Sequence, residues 1–88
     1  MAFYSLCWHN RAKRELKRLP KADIAKIITT INALQINPLP NGHKKLTGRE
    51  NNYRIRQGNY RIIYTFENQQ LIIEIIRVAH RREVYRNL

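Results

Sequence analysis

The sequence predicts an α+β domain in which a helical hairpin packs on one face of a small, mainly antiparallel sheet. Apolar residues recur every three or four positions in the first half of the chain and every second position in the second half. A short aromatic segment precedes the helical half, so the predicted element order is β-α-α-β-β-β. With 88 residues, the chain is expected to form a single domain spanning residues 1–88.

The first half predicts one strand and two helices. Residues 3–8 are aromatic and β-prone and form the strand, in which Cys7 is expected to be a core residue. A short amphipathic helix follows over residues 11–19, with Asn10 as its expected N-cap. Pro20 ends that helix, and residues 21–36 form the clearest helix of the sequence. Its predicted buried stripe consists of Ile24, Ile27, Ile28, Ile31 and Leu34.

The second half predicts a β-hairpin followed by a further strand. Gly58 and Asn59 lie between two alternating runs, residues 53–56 and 60–66, and glycine supplies the positive φ that a two-residue hairpin turn needs. Residues 71–78 are apolar at nearly every position. Such a run is typical of a strand with neighbours on both sides.

The hairpin register separates an apolar face from a basic face. With Gly58 and Asn59 as the whole loop, the pairs run from Gln57–Tyr60 at the turn to Tyr53–Tyr64. The apolar face then comprises Tyr53, Ile55, Ile62 and Tyr64. The basic face comprises Arg54, Arg56 and Arg61. Because like charges directly opposite each other are destabilising, three arginines in register favour a phosphate-binding surface over a merely solvated one.

The charge of the chain indicates a polyanionic partner. Seventeen Lys and Arg oppose six Asp and Glu, which gives a formal net charge of +11. A folded domain with this charge attracts nucleic acid or an acidic protein, and a membrane surface is a weaker third candidate. Further RNA contacts are expected from the basic face of the first helix and from a lysine pair before the hairpin: Lys13, Arg14, Lys17, Arg18, Lys44 and Lys45.

Several functional classes do not fit the sequence. A single cysteine excludes a disulfide within the chain, and the three histidines lack the spacing of metal ligands, so no metal is expected. The sequence also has no Gly-rich phosphate loop ahead of a helix, and no small-molecule cofactor is expected. No apolar run reaches the length of a membrane span and no signal peptide is recognisable. A cytoplasmic location without membrane association is therefore expected.

Four segments together resemble the RelE/ParE superfamily of bacterial and archaeal toxins. They are K-K-L-T-G at 44–48, Y-R-I-R at 53–56, G-N-Y-R-I-I-Y at 58–64 and V-A-H-R-R-E-V-Y at 78–85. The resemblance extends to the helical hairpin and to the size of the chain. It implies a RelE-like fold and the toxin of a type II toxin–antitoxin pair.

The resemblance also implies an activity and its residues. RelE-like members cut mRNA in the ribosomal A site, and the roles carried over from them fall on Arg54, Arg56, Arg61, Arg81 and Tyr85. The expected reaction is metal-independent attack of the RNA 2′-OH on the adjacent phosphate. In it, Arg61 and Arg81 clamp the developing charge, and Tyr85 stacks on the base. His80 is a candidate acid or base because it is the only group near the motif that titrates near neutral pH.

The expected partners are the ribosome, mRNA and an acidic, RelB-like antitoxin that folds on binding. Two alternatives remain at this point. ParE-like members of the same superfamily poison DNA gyrase, and a basic domain of this size could also be an RNA-binding module without catalytic activity.

Overall fold

The computed structural model describes residues 3–48 and 51–83, and within these ranges the chain forms five strands and two helices. The elements are β1 (Ser5–Trp8), α1 (Asn10–Lys17), α2 (Lys21–Leu34), β2 (Lys44–Lys45), β3 (Asn52–Gln57), β4 (Tyr60–Glu67) and β5 (Ile72–His80). The sheet order is β1-β5-β4-β3-β2. β1 is parallel to β5 and the other pairs are antiparallel, so the α+β class with a mainly antiparallel sheet is confirmed.

The helical hairpin packs on one face of this sheet, as the sequence predicts. Ile27, Ile31 and Leu34 of α2 are fully buried. They share one core cluster with Ala12 of α1 and with side chains of the sheet: Tyr4, Ile55, Ile62, Tyr64, Ile73, Ile75 and Val78. The other two residues of the predicted stripe, Ile24 and Ile28, are only half-buried, so the stripe is confirmed in part. We call this side of the sheet the helix side.

Two local predictions in the first elements are wrong. Cys7 is exposed, because only one face of the edge strand β1 is covered and the inward positions are Leu6 and Trp8. The N-cap of α1 is His9, with extended backbone angles and no side-chain cap bond, whereas Asn10 is already helical. Both helices also end two residues before their predicted ends, α1 at Lys17 and α2 at Leu34.

The sheet contains one strand and one irregularity that the sequence pattern does not predict. β2 is only two residues long and pairs with β3 through Lys44 opposite Arg54 and Lys45 opposite Tyr53. A bulge between Ile63 and Tyr64 shifts the pairing of β4 with β5. As predicted, β5 lies between two strands, β1 and β4. No helix within residues 3–48 and 51–83 is long and apolar enough to cross a membrane.

Candidate nucleic-acid interface

The predicted hairpin register is confirmed at every pair. β3 and β4 align Gln57 with Tyr60, Arg56 with Arg61 and Ile55 with Ile62, and the pairing continues to Tyr53–Tyr64. Ile55, Ile62 and Tyr64 lie in the core on the helix side, with Tyr53 packed against it. Gly58 adopts a φ of +60°, which allows the tight turn.

The opposite side of the sheet, which α1 and α2 leave uncovered, carries four basic residues on neighbouring strands. Residues paired across strands share a face, so Lys44, Arg54 and Ile63 form one row across β2, β3 and β4. Arg56, Arg61 and Ala79 form a second row across β3, β4 and β5. We call Lys44, Arg54, Arg56 and Arg61 the basic face. Lys45 pairs with Tyr53 and therefore belongs to the helix side.

Arg56 and Arg61 lie opposite each other but differ in environment. Arg56 is exposed, whereas Arg61 is only 8% exposed. The Nη1 atom of Arg61 donates to the backbone oxygens of Tyr60, at 3.2 Å, and Gly58, at 3.4 Å. These bonds hold the guanidinium of Arg61 against its own hairpin turn. The guanidinium of Arg61 is thus held by hydrogen bonds, whereas that of Arg56 is open to solvent.

Arg81 is held beside the same hairpin turn. Its backbone N–H donates to the carbonyl of Asn59 at 2.8 Å, and the N–H of Glu83 closes the following turn on the carbonyl of His80 at 2.8 Å. The turn after β5 is thereby attached to the end of the sheet at which Arg56 and Arg61 lie. Arg81 is exposed there. Tyr85 lies outside the described residues.

His80 is placed on the other side of the sheet from the basic face. It pairs with Tyr60, and the two rings meet edge to face with centroids 5.9 Å apart. Its Nδ1 accepts the backbone N–H of Arg82 at 3.2 Å, which puts the proton of the neutral ring on Nε2. Tyr60 packs against the core of the helix side. The structure therefore does not bring His80 together with Arg56 and Arg61.

Tyr60 and His80 line a depression of about 270 Å³ on the helix side, with Glu15 and Arg18 of the α1 region at its rim. Partial burial and the Asp23 carboxylate both raise the pKa of the Tyr60 hydroxyl.

The basic residues of the α1 region form a separate surface. Ala12 places the inner face of α1 in the core of the helix side. The exposed cations of this region are Lys13, Arg14, Lys17 and Arg18. α1 and the basic face lie on opposite sides of the sheet. These four residues therefore form a second positively charged surface and are not part of the basic face.

An ion pair between α1 and β5 was not predicted from the sequence. Arg77 of β5 is 5% exposed, and its Nη2 donates to Oε2 of Glu15 at 2.7 Å. One signal was available: Arg77 is a cation within an apolar strand, and Glu15 is an acid within a basic helix. Among the described residues, no group of three His, Cys, Asp or Glu is arranged to hold a metal ion.

The chain is similar to known toxins along almost its whole length. Residues 6–85 match the family model described as ParE toxin of type II toxin–antitoxin system, parDE. Toxin RelE3 of Methanocaldococcus jannaschii is 38% identical over 77 residues, which cover 82% of this chain and 84% of RelE3. Toxin RelG of Mycobacterium tuberculosis is 27% identical over 84 residues, which cover 94% and 97% of the two chains.

Solved structures agree in fold. The archaeal RelE–RelB complex from Pyrococcus horikoshii contains a chain that superposes with a TM-score of 0.81 at 28% identity, over 92% of this chain and 98% of that chain. The RelBE2 toxin–antitoxin complex of Mycobacterium tuberculosis gives a TM-score of 0.78 at 28% identity, over 90% and 99%. The chain therefore belongs to the RelE/ParE family of toxins of type II toxin–antitoxin systems.

Proposed function

We propose that this toxin is a ribosome-dependent endoribonuclease that cuts mRNA in the ribosomal A site and so inhibits translation. The observation that carries the proposal is the register that places Lys44, Arg54, Arg56 and Arg61 on the uncovered side of the sheet. Guanidinium groups bind phosphate oxygens in pairs, so this surface suits an RNA backbone. The similarity to toxins named RelE supports the same interpretation.

The proposed reaction uses the RNA's own nucleophile. The 2′-OH attacks the adjacent phosphorus, the bond to the 5′-oxygen of the next nucleotide breaks, and the products are a 2′,3′-cyclic phosphate and a 5′-OH. No metal-bound water is needed, since the nucleophile belongs to the substrate. The protein must hold the strand for in-line attack and neutralise charge on the pentacoordinate phosphorus.

Arg61 and Arg81 are the proposed charge clamp. Arg61 is preset by two carbonyls of its own turn, so it can meet the developing charge with little reorganisation. Arg56 is exposed and supports the clamp, and Arg54 and Lys44 extend the surface along the strand. Tyr85 is proposed to stack on a base. Arginine does not give up its proton, and His80 faces the helix side, so the proposal assigns these residues no proton transfer.

An acidic antitoxin is the proposed protein partner. The similar chains from Pyrococcus horikoshii and Mycobacterium tuberculosis were solved in toxin–antitoxin complexes. A toxin with a net charge of +11 favours an acidic, RelB-like segment that covers the basic face and folds as it binds. Since the proposed substrate is mRNA on ribosomes, the proposed site of action is the cytoplasm.

Inhibition of DNA gyrase is the second candidate, because the family model that matches is that of ParE toxins. A gyrase inhibitor acts by binding protein and needs no phosphate clamp. It should therefore tolerate the loss of Arg81, whereas an endoribonuclease should not.

The test is cell-free translation with purified toxin, with mRNA ends mapped by primer extension in the presence and absence of assembled ribosomes. We expect cuts at the A-site codon only when ribosomes are present. Arg56→Ala and Arg81→Ala should reduce cleavage by roughly tenfold or more, as expected for loss of a charge aimed at the transition state. Lys26→Ala removes one exposed charge from α2 and serves as the matched control.

One outcome would contradict the residue assignment, and two would contradict the proposed function. Equal cleavage by Arg81→Ala and the parent would remove Arg81 from the clamp. Intact mRNA together with blocked supercoiling by gyrase would establish the second candidate. Binding of free RNA with a steep salt dependence, without cleavage on or off the ribosome, would indicate a non-catalytic RNA-binding module.

A further inference from the structure

Arg77 pairs with Ile63, so it continues the row of Lys44 and Arg54 into β5 on the uncovered side, but it is only 5% exposed. Its Nε and Nη2 atoms donate to Oε2 of Glu15, at 3.1 and 2.7 Å. The other carboxylate oxygen, Oε1, accepts the backbone N–H of Val78 at 3.0 Å. β1 pairs with β5 only as far as Ile75, so the Glu15 carboxylate binds the edge of β5 beyond the last residue that β1 covers.

The remaining terminal nitrogen of Arg77 reaches the turn after β5. Its Nη1 donates to the backbone carbonyl of Glu83 at 3.2 Å. That turn begins with Arg81 and is also tied by the backbone N–H groups of Arg81, which donates to Asn59, and of Glu83, which donates to His80. The N–H of Arg82 donates to the ring of His80. Arg77 therefore links the contact of α1 with β5 to the segment that carries Arg81.

We propose that Arg77 is a positioning residue that sets the orientation of Arg81 for RNA cleavage, an inference that rests on the function proposed above. The planar guanidinium donates in one direction to Glu15 and in another to the carbonyl of Glu83. A lysine ammonium keeps the charge opposite Glu15 but is a single centre without this fork. Arg77→Lys should therefore preserve the ion pair while releasing the turn.

The experiment compares Arg77→Lys with Arg82→Lys, the same substitution at an exposed position of the same turn. kcat and KM are measured for mRNA on programmed ribosomes, and hydrogen exchange is measured at the Glu83 amide of the free toxin. We expect Arg77→Lys to lower kcat roughly tenfold to a hundredfold, with KM within about twofold, because misplacement of a catalytic group affects the chemical step. Exchange at Glu83 should quicken, and Arg82→Lys should match the parent in all three quantities.

A folded Arg77→Lys toxin with the parental kcat would overturn the inference, even if its melting temperature fell, since a merely structural ion pair predicts that result. If Arg77→Lys does not fold, Glu15→Asp keeps the neutralising charge but shortens its reach by one methylene. It should lower kcat in the same direction and by less, and a parental kcat in this variant would also overturn the inference.

Failure of the proposed function gives a different pattern. If the parent toxin does not cut mRNA on ribosomes, the endoribonuclease proposal fails and with it the effect on kcat. Glu83 exchange does not depend on RNA, so unchanged exchange in Arg77→Lys would show separately that Arg77 does not hold the turn.

Discussion

The two sides of β4 bury side chains by different means. Ile62 and Tyr64 on the helix side, and Ile63 on the uncovered side, are all 0% exposed. On the helix side α2 and part of α1 cover the strand. On the uncovered side Ile63 and Ala79 form a small cluster whose only further apolar neighbours among the described residues are Leu46 and Ile76. Among the described residues, the apolar cluster on the uncovered side is therefore smaller than the core of the helix side.

The two sides also differ in their charges. On the basic face Arg56 lies directly opposite Arg61, an arrangement that is unfavourable for the isolated domain. Departures from local consistency of this kind concentrate at functional sites. The helix side holds the larger apolar core, and the basic face retains like charges that a polyanion would neutralise.

The largest expected effect is on the free energy of unfolding. It compares the core of the helix side with the small cluster of Ile63 and Ala79. Ile62→Ala should lower the free energy of unfolding by about 4 kcal/mol, because the helices above it cannot collapse into the space. Ile63→Ala should cost about 2 kcal/mol, since only a thin layer surrounds it. Urea denaturation of both variants measures the difference. Equal losses would mean that the two sides are packed alike.

A second prediction concerns the hydroxyl of Tyr64 in the core of the helix side. It donates to the carbonyl of Pro38 at 2.7 Å, which ties the loop after α2 to β4. Tyr64→Phe should cost about 1–2 kcal/mol, because the Pro38 carbonyl loses its partner. Denaturation at pH 7 measures this cost. A loss below about 0.3 kcal/mol, far short of the value for a buried hydrogen bond, would show that water replaces the hydroxyl.

The Tyr64 hydroxyl should also make the stability of the protein depend on pH. Burial, together with the nearby Tyr53, raises the pKa of Tyr64 above the ordinary tyrosine value of 10.0. The unfolded chain therefore loses this proton first as the pH rises. Its contribution to stability is full below pH 10 and decreases above it. In Tyr64→Phe the free energy of unfolding should fall less steeply with pH above pH 10. An unchanged slope would contradict the raised pKa of Tyr64.

Local patterns in the sequence predicted the elements and the faces of this protein well. The 3.6-residue spacing of isoleucines identified the buried side of α2, and Gly58-Asn59 fixed the register of β3 and β4. Both signals are local, since they depend on residues a few positions apart. The register alone is enough to place Arg54, Arg56 and Arg61 on one face of the hairpin, because side chains alternate between the two faces of a strand.

Features that depend on distant parts of the chain were not predicted. β2 has no strand signal of its own, since Lys44 and Lys45 become a strand only by pairing with β3. β5 is apolar at most positions on both faces, so its sequence pattern does not show the bulge opposite Ile63. The contact between Glu15 and Arg77 joins residues 62 positions apart. The burial of Arg61 likewise depends on how its side chain folds back onto the hairpin turn.

The smallest expected effects concern Arg56 and Arg61, which lie opposite each other. Replacing them by alanine should change the free energy of unfolding in opposite directions. Arg61→Ala should lower the free energy of unfolding by about 1 kcal/mol, since a buried stem and hydrogen bonds to two carbonyls are lost. Arg56→Ala should raise it by a few tenths of a kcal/mol, up to about 0.5, by relieving repulsion across the strands. Both are measured by urea denaturation in low salt.

Salt and a control variant separate the local repulsion from the net charge. Removing any cation from a chain with a net charge of +11 weakens the overall charge repulsion. Lys26→Ala on α2 measures how much this raises the free energy of unfolding. The gain in Arg56→Ala should exceed the gain in Lys26→Ala, and about 0.5 M salt should reduce both because exposed charges are screened. If Lys26→Ala stabilises as much as Arg56→Ala, the opposition of Arg56 and Arg61 carries no local strain. The basic face would then differ from the rest of the surface only in the number of its charges.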